Sequence, residues 1–145
     1  CALGKRGIGI KKKEGDNITP KGSYKIEYIL YRRDKIKNFK TPFKKISINR
    51  KMGWCNDSRS IKYNKLITLP FRFTFEKLFR KDRIYDLILV LNFNMRPTLK
   101  NKGSAIFIHI AKRNYKKTEG CIAIKKNDIL KVIKYLKKNT KIIIN

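Results

Sequence analysis

"IFIHIAKRNYKKTEGCIAI", residues 106–124, contains the only histidine of the chain, His109, and one of its three cysteines, Cys121. Side chains alternate across a strand, so residues two apart share a face. In the first half of this stretch Ile106, Ile108 and Ile110 make one face, which reads as core. His109 falls on the other face, with Ala105, Phe107 and Ala111. In the second half Ile122 and Ile124 repeat the apolar face, leaving Cys121 and Ala123 opposite. The intervening KRNYKKTEG is short enough for an antiparallel pair, and such a pair points His109 and Cys121 from one side of one sheet.

That placement suits a cysteine nucleophile. The thiolate attacks, and a nearby imidazole takes the thiol proton and later protonates the leaving group. Gly120 allows a tight turn before Cys121, so that amide N–H groups there could face a developing oxyanion. A satisfied, half-buried histidine beside a thiol that merely fills apolar space fits the same alternation. These residues alone leave both readings open.

Outward from this stretch, YDLILVLNFN (85–94) and SAIFIHIA (104–111) read as two strands, and GCIAI (120–124) starts a third. KKKEGDNITPKGSYKIEYILY carries turn signals at Gly15-Asp16, Pro20 and Gly22. It then enters a β-prone segment with Tyr24, Ile26, Tyr28 and Leu30 expected on one side. Residues 33–65 are polar and broken, and predict a long loop region. TFEKLFRK (74–81) predicts a short helix with Thr74 as N-cap. NDILKVIKYLKKN (127–139) predicts a helix with Asn127 as cap and an apolar stripe of Ile129, Val132, Ile133 and Leu136. KIIIN closes the chain as a strand. The sum is a mainly β fold with one or two helices. With no internal repeat and no low-complexity linker, one domain over 1–145 is expected.

A chain of 145 residues with 41% hydrophobic residues has enough apolar material for a real core. No apolar run approaches the roughly 20 residues of a membrane-spanning helix, so no span is expected. The formal charge of +28 is spread along the chain, as on a solvated basic surface. A functional use of that charge needs a polyanion, either a cell-wall polymer or RNA. Cys1, Cys55 and Cys121 form no CxxC pair, and a single His gives zinc little support, so no metal is expected. One pairing open to the sequence is Cys1 with Cys55, leaving Cys121 free. The chain begins at Cys1 without Met, so the true N-terminus is expected upstream and a missing signal peptide says nothing of compartment.

GSAIFIHIA and TEGCIAI together resemble the catalytic signature of the L,D-transpeptidase (YkuD-like) family. There a His on one strand precedes a Ser/Thr-x-Gly-Cys turn carrying the nucleophile. KKKEGDNITPKGSY is similar to the family's Gly-Asp…Thr-Pro-x-Gly segment. GWCNDSRSIKYN and LPFRFTFEKLFRKDRIYDLILVLNFN resemble a proteobacterial branch of stand-alone catalytic domains, and the likeness runs from Leu3 to Leu130. It implies a YkuD-like β-sandwich or barrel-like domain. By position, Cys121 would be the nucleophile and His109 its general base, the ring oriented by a backbone carbonyl. Gly120 and Cys121 amides would form the oxyanion hole. Thr118 stands where the family often has Ser, and Glu119 where many members have a second His. Tyr85 and Asn92 are candidates for lining the cleft. Trp54 is another, with packing of a surface-loop aromatic on the core as its alternative. Asp16 and Thr19 read as turn formers. Ala123 departs from the family, many of whose members place Arg there. By alternation the residue shares the Cys121 face, so the substrate contacts of better-known members do not transfer.

The resemblance implies a periplasmic peptidoglycan L,D-transpeptidase that serves cell-wall synthesis and cell shape. Cross-links between stem peptides would form through a cysteine thioester, with no cofactor and no nucleic-acid partner. It also implies a covalent adduct with carbapenem β-lactams. The alternatives are an L,D-carboxypeptidase that trims stem peptides, and a non-catalytic basic domain that binds wall polymer or nucleic acid. Nucleic-acid binding predicts aromatics interleaved with Lys and Arg on one exposed sheet face. The strand aromatics Phe93 and Phe107 make no such series.

Overall fold

A computed structural model describes residues 1–145. The strands are β1 (Ile8–Gly9), β2 (Thr19–Pro20), β3 (Gly22–Tyr31), β4 (Lys45–Ser47), β5 (Met52–Cys55), β6 (Leu66–Thr68) and β7 (Phe75–Lys77), then β8 (Leu87–Leu91), β9 (Phe107–Ile110), β10 (Ile122–Ile124) and β11 (Lys141–Ile144). The only α-helix, α1 (Lys126–Tyr135), lies between β10 and β11. The main sheet runs β10-β9-β8-β3-β11, with β4 also on β3, and a second sheet runs β6-β5-β7. The fold is mainly β, as expected.

The main sheet is apolar on both faces because something covers each. β8, LILVL, is buried at every position. It reads as a continuous apolar run, as strands covered on both sides do. On one face Ile26, Ile29, Leu87, Leu89, Ile108 and Ile122 pack with Ile129, Ile133 and Leu136 of the helical segment. On the other, Leu30, Ile88, Val90 and Phe107 pack with Met52, Trp54 and Leu78 of the smaller sheet. The result is a three-layer arrangement: helix, main sheet, small sheet. Trp54 meets Phe107 edge-on with ring centroids 5.0 Å apart, an aromatic contact worth about 1 kcal/mol beyond its buried area.

Several expectations are corrected here. Tyr24, Ile26, Tyr28 and Leu30 do not share one face: the β3–β8 register shifts between Ile26 and Tyr28. The extra residue, Glu27, flips the alternation, so Ile26 faces the helix side while Leu30 faces the small sheet. Residues 33–65 are not all loop, because they contain β4 and the fully buried β5. The segment 74–81 is not a helix: Phe75–Lys77 pairs antiparallel with Gly53–Cys55, and this ladder overrides the helical spacing of Phe75, Leu78 and Phe79. The helix is capped at Lys125 without a side-chain hydrogen bond, so Asn127 is not its cap. Ile129, Ile133 and Leu136 are buried, but Val132 is 45% exposed. All three cysteines are free, so Cys1 and Cys55 are not bridged; Cys1 is exposed and Cys55 buried.

Candidate active site

β9 and β10 are neighbours, but they run parallel, not antiparallel. The connection from 111 to 121 therefore crosses over instead of forming a hairpin. Register pairs Ile122 with Ile108 and Ala123 with His109. Parallel pairing keeps the two isoleucines on the helix side and leaves Phe107, His109 and Cys121 on the small-sheet side. Cys121 precedes the partner of His109 by two residues, an offset of about 7 Å along the strands. The shared face survives the change of strand direction because alternation does not depend on it.

The His109 ring is fixed on two sides. Its Nδ1 lies 3.0 Å from the Ile110 carbonyl oxygen. A carbonyl only accepts, so Nδ1 carries the proton and Nε2 is the nitrogen left to take one. The Tyr85 ring packs edge-on against the imidazole at 5.2 Å between centroids. Burial pushes His109 below its ordinary pKa, the Ile110 carbonyl opposes this, and the Arg80 charge adds to the lowering. His109 is 5% exposed and neutral at pH 7.

The Cys121 thiol points inward, donating to the Ala105 carbonyl at 2.9 Å and accepting the Phe107 N–H at 3.4 Å. Burial and then the Glu76 carboxylate push it up to about 12, against the pull of the Phe107 amide. Ala105 holds a positive φ of 53°, and its N–H donates to Asn64 Oδ1 at 3.0 Å. Asn64 also accepts the Trp54 indole N–H at 3.1 Å and donates to the carbonyls of Phe93 and Asn94 at 2.9 and 2.8 Å. One buried amide thus joins the small sheet, the end of β8 and the backbone that holds the thiol.

The turn before Cys121 is built by Thr118. Its hydroxyl donates to the Cys121 carbonyl at 2.6 Å and accepts the Gly120 N–H at 3.2 Å. The Gly120 amide, expected in an oxyanion hole, is therefore engaged within the turn. Gly120 has φ +141°, and a Cβ there would lie 2.9 Å from the Ile18 carbonyl, so the turn needs glycine. Residues 2–5 clamp the same turn from outside: the Thr118 N–H donates to the Leu3 carbonyl at 2.9 Å, and Ala2 and Ala123 exchange both backbone bonds at 2.8 Å. Behind it Asp16 accepts the Lys11 ammonium at 2.6 Å and the Lys12 and Ile18 amides at 2.8 and 3.1 Å. Thr19 Oγ1 accepts the Gly4 N–H at 2.8 Å. Both are turn builders, as expected.

The other candidates divide. Tyr85 lies beside the pair, but it is buried, and its hydroxyl donates to Glu76 Oε1 at 2.6 Å. Glu119 is exposed and reaches only Lys5, at 3.8 Å. Asn92 is used elsewhere: its Oδ1 accepts the Lys25 N–H at 2.8 Å, pinning β8 to β3. Trp54 is neither a surface-loop aromatic nor a cleft wall, since it sits in β5 at 1% exposure. Ala123, also at 1%, has no surface to offer a substrate. Sequence reading missed Asn64, Glu76 and Arg80. Glu76 and Arg80 lay in the segment expected to be helical, and a strand period there would have placed Glu76 opposite Trp54.

A thiol and a pre-oriented imidazole on one face of a mainly β domain belong to the chemistry of cysteine acyl transfer. The family model of the L,D-transpeptidase catalytic domain (YkuD) matches residues 1–144, and the chain belongs to that family, which acts on peptidoglycan peptides. No curated protein and no solved structure matches the chain.

Proposed function

We propose that the protein is a periplasmic L,D-transpeptidase that cross-links peptidoglycan stem peptides through a thioester on Cys121, with His109 as general base and acid. The observation that carries this reading is the common face of Cys121 and His109 on adjacent strands, with Nδ1 of the ring tied to Ile110 and Nε2 left to accept.

The direction of the two pKa shifts constrains the first step. With the thiol raised and the imidazole lowered, both rest neutral at pH 7. Proton transfer from Sγ to Nε2 therefore accompanies attack instead of preceding it. The thiol leaves the Ala105 carbonyl, attacks the carbonyl of the L-centre of the donor stem, and His109 passes the proton to the departing D-amino acid. The Phe107 N–H, already aimed at Sγ, stabilises the charge that develops there. An amine of a second stem then resolves the thioester into a cross-link.

Incubation of the protein with a tetrapeptide stem and an acceptor stem, followed by muropeptide mass analysis, tests this. A dimer with loss of the terminal D-residue is expected, absent in Cys121→Ala. Release of tripeptide without dimer would assign the protein as an L,D-carboxypeptidase instead. No turnover with either would leave a non-catalytic wall-binding domain.

A further inference from the structure

The chain has 38 basic and 10 acidic residues, and seven of those acids lie within ion-pair distance of a Lys or Arg. Glu76 does not. It projects from β7, opposite Trp54 of β5, and Oε1 accepts the Tyr85 hydroxyl at 2.6 Å. Tyr85 in turn packs on His109, so the carboxylate hangs beside the candidate pair. Its second oxygen, Oε2, takes no protein donor. Arg80, the cation whose charge acts on it, is held in a fork by Asp82 at 2.9 and 2.7 Å and lies over the Tyr85 ring. In a chain this rich in ammonium and guanidinium groups, a half-buried carboxylate with one free oxygen beside the reactive thiol is well placed to receive a cation from outside.

The second half-reaction supplies such a cation. A primary amine arrives as an ammonium ion, and its attack on a thioester releases two protons. One returns to sulfur as the thiol re-forms, and His109 can carry it. The other needs a second base. We propose that Glu76 binds the ammonium group of the acceptor stem and takes its first proton, making the amine nucleophilic at the thioester. The N–C bond then forms, the C–S bond breaks, His109 moves the second proton to Cys121 Sγ, and Glu76 returns its proton to solvent. Burial raises the Glu76 carboxyl above its ordinary value, against the Tyr85 hydroxyl and the Arg80 charge, which suits a proton acceptor near neutral pH. The groups whose charge bears on it are Tyr85, Arg80, Glu119 and Glu14, with the Cys121 thiol alongside.

This assignment rests on the transpeptidase reading, and the test separates the two. In Glu76→Gln the amide oxygen still accepts from Tyr85, and acylation by a carbapenem or a donor stem, in which Glu76 transfers no proton, persists and is no slower than in the wild type, because the variant removes a charge that raises the thiol. Resolution of the acyl-enzyme by a stem-peptide amine, cationic at pH 7, falls by about 100-fold, the low end for a positioned proton acceptor. Resolution by hydroxylamine, largely uncharged at pH 7, is unchanged, and the deficit with the cationic amine narrows as pH rises. Equal loss with both amines, no loss with either, or failure of Glu76→Gln to acylate overturns the role given to Glu76. Failure of the wild type to acylate overturns the transpeptidase reading itself.

Discussion

Asn64→Ala is expected to remove a large share of the protein's stability, because one side chain satisfies four backbone and side-chain partners in a water-poor site. Asn64 is 2% exposed. Its Oδ1 accepts from Trp54 Nε1 and Ala105 N, and its Nδ2 donates to the carbonyls of Phe93 and Asn94. Phe93 and Asn94 are half-buried, so water can replace the lost donors there. Ala105 is half-buried too, so the Trp54 indole, at 1% exposure, is the group left unpaired. Each orphaned buried donor costs about 1–3 kcal/mol. Asn64 also sits at φ +57°, a conformation that asparagine tolerates and alanine resists by about 1 kcal/mol. The sum is about 2–4 kcal/mol, comparable to a fifth or more of the stability of an ordinary domain. Urea unfolding followed by tryptophan fluorescence, which reports on the single Trp54, gives the midpoint and slope for wild type and variant. A loss below about 1 kcal/mol at unchanged slope would refute the reasoning, because it would mean that water reaches the indole freely.

Two further outcomes concern charge and pH. Asp16 feels burial, but the Lys11 ammonium and the backbone amides of Ile18, Lys12 and Lys13 outweigh it and hold the carboxyl at about 2. A depressed carboxylate stabilises the fold above its unfolded value of 3.8 and loses that contribution as pH falls through about 2. Asp16→Asn should therefore cost about 3 kcal/mol at pH 7, because the Lys11 ammonium, 2% exposed, loses its charge partner. It should also flatten the stability curve across that acid window in chemical unfolding. For the reaction, His109 must be neutral to accept a proton, and its pKa lies below the ordinary 6.5. The acylation rate measured by stopped-flow should fall to half its plateau only at a pH below 6.5. A half-point above 6.5 would show that His109 is not the base.

The pieces legible in sequence were those where local pattern and tertiary environment agree. Alternation in AIFIHIA and CIAI placed His109 and Cys121 on one face, and that holds whichever way the strands run. Strand direction itself was not legible, because a connection of this length admits both a hairpin and a crossover. The bulge at Glu27 was invisible, since an inserted residue leaves the apolar composition of β3 unchanged while reversing its faces after that point. TFEKLFRK has helical spacing, and only pairing with a buried partner, β5, makes it a strand. That misreading hid Glu76. Asn64 was hidden for a different reason: a polar residue in an irregular segment gives no sign that its amide closes on four partners far along the chain.

The most direct test of the reactive centre is intact-protein mass spectrometry after incubation with a carbapenem, for the wild type, Cys121→Ala and His109→Gln. The expected result is one adduct of the drug's mass on the wild type, located to Cys121 by peptide mapping, none on Cys121→Ala, and much slower labelling of His109→Gln. An unlabelled wild type, or equal labelling of Cys121→Ala through Cys1, would contradict the assignment of Cys121 as the nucleophile.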